Sequence, residues 1–157
     1  MSFKQLKEAK VWALIATVLG IGMIPLIPGT YCSIFSTLVA YFLLNNISLV
    51  YRIIIYLFIF LIGVLASHKI QKLTKQEDPR FIVIDEYVGQ GVSLLFADDR
   101  ILLYFLGFII FRFFDIFKPF PIAHSERLKY GFGVMMDDLI AGLYSMIIII
   151  VIKLLIY

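Results

Sequence analysis

Eight polar residues sit in or beside apolar runs at spacings that could do chemistry. They are Thr30, the adjacent acids Asp85 and Glu86, the series Arg112, Asp115 and Lys118 at intervals of three, and the adjacent acids Asp137 and Asp138. Spacing by three puts Arg112, Asp115 and Lys118 on one side of a helix, where guanidinium and ammonium can flank the carboxylate. Clustered carboxylates with no Cys and no nearby His suit a hard cation, Mg²⁺ above all, which prefers carboxylate oxygens, water and substrate phosphate. Arg112 and Lys118 supply positive charge for a phosphate, and the PGT stretch at 28–30 can add backbone N–H groups or the Thr30 hydroxyl. Acids for a metal plus bases for a phosphate describe phosphoryl chemistry.

The elements that must position these residues are membrane helices. Of the 157 residues, 62% are hydrophobic and only 16% charged, against roughly 25% charged in a soluble domain; mean hydropathy is +0.98. Apolar runs recur at 11–28, 34–44, 50–66, 81–97, 101–117 and 139–156, with no domain-sized polar region between them. The expectation is one all-α domain over 1–157, a polytopic bundle of about five transmembrane helices. Lys4, Lys7 and Lys10 precede the first run as in a signal peptide, but no small-x-small cleavage pattern follows, so this segment is expected to be retained. Cys32 is the only cysteine, which excludes an internal disulfide and leaves a buried bystander as its expected role. The net charge of +3 sits in short loops beside apolar segments, which favours anionic lipid headgroups over nucleic acid.

Basic residues set the orientation. Lys69, Lys72, Lys75 and Arg80 share one connection and Lys118, Arg127 and Lys129 another, so both, with the N-terminus, are expected on the cytoplasmic side. Asn45, Asn46 and the triplet Asp98, Asp99 and Arg100 make the turns on the far side, where Tyr157 also ends. The count closes only if 11–28 does not cross and is instead a re-entrant or interfacial helix broken by Gly20, Gly22, Pro25 and Pro28. Asp85 and Glu86 then start an outward helix, Arg112 and Asp115 end an inward one, and Asp137 and Asp138 open the last; Thr30 and Ser33, in the PGTYCS turn, reach the same level. Pro119 and Pro121 end the helix after Lys118.

A charge at mid-bilayer costs roughly 2.5 to 3.5 kcal/mol, so these groups must face one another or a wet cavity. Structural roles compete with function for each member. An ion pair that fixes helix packing explains Arg112 and Asp115 equally well, and acids near a helix N-terminus suffice for Asp137 and Asp138. Asp98 and Asp99 are expected to be solvated turn residues, and His68 and His124 ordinary interfacial side chains. The joint pattern is stronger: five acids and two bases from three helices arrive at one depth. An ion or proton pathway is the alternative of a different class.

Other lipid-phosphate machineries lack their signatures here. Cys32 is followed six residues on by Leu38 rather than the Arg of a cysteine phosphatase, Asp-x-Asp is absent, and neither histidine lies in an Arg-and-His constellation. Four blocks, IPLIPGTYCS (24–33), IDEYVGQ (84–90), FRFFDIFKPFPI (111–122) and GFGVMMDDLIAG (131–142), resemble the phosphatidylglycerophosphatase A family in order and spacing, from about Gly20 onward. The resemblance implies a Mg²⁺-dependent enzyme of the bacterial inner membrane that hydrolyses the terminal phosphate of phosphatidylglycerophosphate to phosphatidylglycerol. It carries Thr30, Asp85, Glu86, Arg112, Asp115, Lys118, Asp137 and Asp138 into the site; the expected roles are Asp85, Glu86 and one or both of Asp137 and Asp138 as metal ligands, Thr30, Arg112 and Lys118 on phosphate, and Asp115 as a further ligand, the base for the attacking water, or the residue that orients Arg112 and Lys118. Three positions depart: Cys32 and Tyr130 stand where the family usually has Gly, and Glu126 is one place out from the usual acid, which makes Glu126 and Arg127 poor site candidates.

Overall fold

Long apolar runs become helices in hydrocarbon because only a helix or a closed barrel satisfies every backbone N–H and C=O within the protein. A computed structural model describes residues 3–125 and 127–156, and every regular element among them is helical. Glu126 and Tyr157 lie outside the described residues, as do the side chains of Lys4 and Lys7. In order the elements are α1 (Phe3–Ala16), α2 (Pro28–Val39), α3 (Leu49–Thr74), α4 (Ile84–Ser93), α5 (Ile101–Phe117), α6 (Ile122–Ser125) and α7 (Phe132–Ile156).

The first apolar run breaks as its glycines and prolines imply, but earlier. The Thr17 hydroxyl donates to the Ala13 carbonyl at 2.8 Å and accepts the Gly20 N–H at 3.1 Å. Val18, Leu19 and Gly20 follow in left-handed conformations, then a 3₁₀ turn over Ile21–Met23. α1 packs against α3, and the Ala16 carbonyl accepts the Val83 N–H at 2.9 Å, tying the break to the start of α4.

Several boundaries differ from expectation. PGTYCS is not a turn: Pro28 is pre-organised for the first position of a helix, so α2 starts there rather than at 34 and runs on through a π-helical turn, Ala40–Leu44. The short expected crossing becomes an apolar helix over Pro28–Leu44. α3 continues to Thr74, which places His68, Lys69 and Lys72 on the helix instead of in a loop, with Lys75 as its left-handed cap. α7 begins at Phe132 after left-handed Tyr130 and Gly131, so Asp137 and Asp138 lie in its second turn rather than opening it.

The largest difference is α4. Its ten residues reach about 15 Å, half of the roughly 30 Å hydrocarbon core, where a helix over 81–97 was expected. Short i to i−3 bonds at Leu94, Leu95 and Ala97 tighten the chain after Ser93. Such irregular backbone is tolerated because the segment is enclosed: Val88 through Leu95 are all buried. α4 crosses α7 at two glycines, and a side chain added to Gly142 would strike the backbone of Gly89. Cys32 and Ser36 pin α2 to the other side of α4 by donating to the Val83 and Tyr87 carbonyls at 3.0 and 2.7 Å. Cys32 is thus buried, as expected, but it bonds between helices.

Two contacts gather the turns assigned to the far side. Asn45 donates to Asp99 at 2.6 Å, and Lys153, near the end of α7, pairs with Asp98. Asp98 and Asp99 are partnered, not merely solvated. α3 and α7 are long and apolar enough to cross a membrane, and they turn large apolar side chains such as Phe58, Leu61, Leu154 and Leu155 outward. An exposed apolar belt of this extent marks a lipid-facing surface. Replacing Gly142 by Leu should lower the thermal midpoint of the detergent-solubilised protein by several degrees, whereas Leu154→Ala, at an exposed position, should leave it unchanged.

Candidate active site

Four helix ends meet at the pole opposite the Asp98–Lys153 pair. The N-termini of α2 and α4, the C-terminus of α5 and the second turn of α7 surround a cavity of about 970 Å³. All eight residues singled out by spacing line it: Thr30, Asp85, Glu86, Arg112, Asp115, Lys118, Asp137 and Asp138.

Within the cavity the acids divide into two kinds. Asp85, Glu86 and Asp138 each bring one carboxylate oxygen within 4.8 Å of the other two. Glu86 Oε2 and Asp138 Oδ2 are buried and have no hydrogen-bond partner among the described residues. Burying carboxylate oxygens without donors, beside like charges, is costly unless a cation joins them. All three donors are hard oxygens, the set that Mg²⁺ and similar cations take. The residues present therefore fit a divalent metal.

Asp115 and Asp137 instead hold the bases. Arg112 pairs with Asp115 at 2.5 Å across one helical turn and lies 3.4 Å from the Ser33 hydroxyl on α2. Lys118, the left-handed cap of α5, reaches Asp137 at 2.7 Å on α7. Asp137 lies beside the three-acid cluster, not within it.

The two adjacent acid pairs share a local device. Asp85 accepts the Glu86 N–H at 3.0 Å and Asp137 accepts the Asp138 N–H at 2.9 Å, so the leading acid of each pair is oriented by its own backbone. On α2, no side chain caps the helix and Pro28 has no N–H to offer, so the first N–H groups beside the cavity are those of Gly29 and Thr30. A helix N-terminus of this kind is a ready anion site. Gly29 has a second use: a Cβ there would collide with the Glu86 carboxylate.

Sequence reasoning missed the outer wall. His68, Lys72, Lys75, Arg80, Arg127 and Lys129 also line the cavity, so Arg127 borders the site although its motif position argued otherwise. His68 packs edge-on against Tyr130 at 5.2 Å. His124 instead stacks on Phe120. The one available signal was that these bases occupy connections flanking the motif blocks.

The sequence profile of the phosphatidylglycerophosphatase A family matches residues 14–153. The chain belongs to this family. Two relatives carry the name phosphatidylglycerophosphatase A. The one from Haemophilus influenzae is 35% identical, covering 89% of this chain and 87% of the relative. The one from Escherichia coli is 33% identical, covering 90% and 83%. A Bacteroides thetaiotaomicron protein provisionally named a phosphatidylinositol-3-phosphatase is 38% identical over 87% of this chain and 89% of its own. No solved structure is a significant match. Within the phosphatidylglycerophosphatase A family pattern, Tyr130 adopts φ 64°, the left-handed region that explains the Gly usual there, and Cys32 fits within regular helix.

Because Gly29 makes room for Glu86, Gly29→Ala should displace that carboxylate. A shift near 1 Å in such a site costs on the order of 10²-fold in rate. The expected outcome is a loss of that size in phosphate release at an unchanged thermal midpoint.

Proposed function

We propose that the protein is a phosphatidylglycerophosphate phosphatase that removes the terminal phosphate of its lipid substrate to leave phosphatidylglycerol and inorganic phosphate. The observation that carries this is the three-carboxylate cluster facing Arg112 and Lys118 in one cavity, at the end of an apolar bundle. Family membership supports the same reaction. The whole chain, 1–157, acts as a single membrane-embedded domain.

Asp85, Glu86 and Asp138 would hold Mg²⁺, with Asp137 at the edge of that shell. Bound there, the ion supplies Lewis-acid polarisation of a phosphoryl oxygen and lowers the pKa of a coordinated water. Arg112 and Lys118 neutralise the non-bridging oxygens, while Asp115 and Asp137 fix the directions in which those bases point. The Gly29 and Thr30 N–H groups and the Thr30 hydroxyl accept no proton from the substrate; they donate to its oxygens and hold the phosphate against the cluster.

The membrane arrangement follows from the two poles. The chain travels between them five times, by α2, α3, the α4 segment, α5 and α7, and four of these passages are continuous helices. The bases around the cavity support a mouth on the cytoplasmic face of a bacterial inner membrane, by the excess of Lys and Arg on that side, and a headgroup in the inner leaflet would enter there. Family membership disfavours the transport alternative, and the buried acids Asp137 and Asp138 both belong to the site.

Purified protein should release phosphate from phosphatidylglycerophosphate with Mg²⁺ and not with EDTA; undiminished release in EDTA would remove the metal. Phosphatidic acid and phosphatidylinositol 3-phosphate assayed in parallel define headgroup choice. Asp85→Asn, Glu86→Gln and Asp138→Asn should each lower turnover by roughly 10²-fold or more. Asp137→Asn, which removes the charge that holds Lys118, should cost about tenfold, the lower end for residues that orient a site. Near-normal turnover in any of the first three would take that residue out of the metal shell.

A further inference from the structure

α2 and α5 run antiparallel, and away from the cavity a second recess of about 330 Å³ opens between them. Ile34, Leu38, Phe42, Tyr104, Phe105 and Phe108 line it. Its upper end abuts the active site. Ile34 follows Thr30 by four residues and Phe108 precedes Arg112 by four, one helical turn or about 6 Å in each case. The contact between Ser33 and Arg112, at 3.4 Å, joins the two helices there. Its lower end is bounded by the edge-on rings of Tyr41 and Tyr104, 5.0 Å apart, with the Tyr104 hydroxyl donating to Asn45 at 3.2 Å.

The groove is open to the side: Ile34 is 43% exposed, Leu38 49% and Phe105 59%. From Ile34 to Phe42 it runs about 12 Å along α2. A narrow apolar channel that begins one turn from a phosphate site and leads toward the bilayer interior fits one kind of molecule, an anionic headgroup attached to a hydrocarbon chain. We infer that this groove holds one acyl chain of the lipid whose phosphate occupies the cavity, an assignment that rests on the phosphatase reading of that cavity. Tethering decides the occupant. Any bilayer lipid can touch the groove, but only a lipid with its headgroup in the site is held there at high effective concentration. The groove thereby selects a diacyl substrate over soluble phosphomonoesters.

The test uses the full-length protein in detergent micelles. Leu38→Trp fills the groove at an exposed position, and Leu57→Trp, on the exposed face of α3, is the control. Phosphate release is measured with long-chain and short-chain phosphatidylglycerophosphate. Leu38→Trp should raise KM several-fold for the long-chain substrate and leave the short-chain kcat/KM at the wild-type value, with the control unchanged on both. An unaltered long-chain KM, or an equal loss on both substrates, would overturn the assignment. The second measurement does not depend on turnover. A diazirine placed mid-chain on phosphatidylglycerophosphate should label α2 and α5 groove peptides more strongly than the same chain carried by phosphatidylcholine; equal labelling would overturn it. If the wild-type protein released no phosphate from either substrate, the phosphatase reading would fall, while the labelling comparison would still decide the groove.

Discussion

Three carboxylates within 4.8 Å of one another repel, and in an apolar bundle there is little water to screen them. Most of the architecture can be understood as what keeps them there. α4 brings Asp85 and Glu86, and α7 brings Asp138; these helices touch backbone to backbone at Gly89 and Gly142, so the carboxylates cannot drift apart. The remaining two acids hold the bases, Asp115 pairing with Arg112 and Asp137 with Lys118. The result separates a face that attracts a cation from a face that attracts an anion, within one cavity.

Much of this was legible in the chain. The R-x-x-D-x-x-K series specifies a helical side because its period matches α5, and Pro119 ends that helix where its chemistry requires. The convergence of Asp85, Glu86, Arg112 and Asp138 on one pole followed from topology alone, since basic loops and acidic turns label opposite ends. Hydropathy could not reveal that α4 is only ten residues long, because the apolar residues flanking it at 81–83 and 94–97 extend the run beyond both ends of the helix. Nor could it show that Asp137 turns to Lys118 while its neighbour Asp138 turns to the cluster: adjacent helical residues point about 100° apart, and which of them faces the cluster depends on how α7 is rotated in the bundle. The start of α2 at Pro28 was readable in principle, as Pro favours the first position of a helix as well as a turn.

The departures from the family pattern show how a helix and a turn absorb substitution differently. Cys32 lies within α2, where a small side chain replaces Gly without strain and its thiol finds the Val83 carbonyl at 3.0 Å. Tyr130 lies in a turn that demands positive φ, so its side chain carries a conformational penalty there and packs edge-on against His68. Both substitutions leave the acids where they are, because the acids are fixed from α4 and α7.

The shortness of α4 bears on how the chain is made. A ten-residue segment headed by two acids is a poor candidate for recognition as a spanning helix as it leaves the ribosome. Its cover is supplied chiefly by α7, which follows it in the chain with α5 and α6 between them. Enclosure of the segment that carries Asp85 and Glu86 therefore depends on residues 132–156, far downstream of it in the chain. Helix α7 thus both encloses α4 and supplies Asp138 to the cluster.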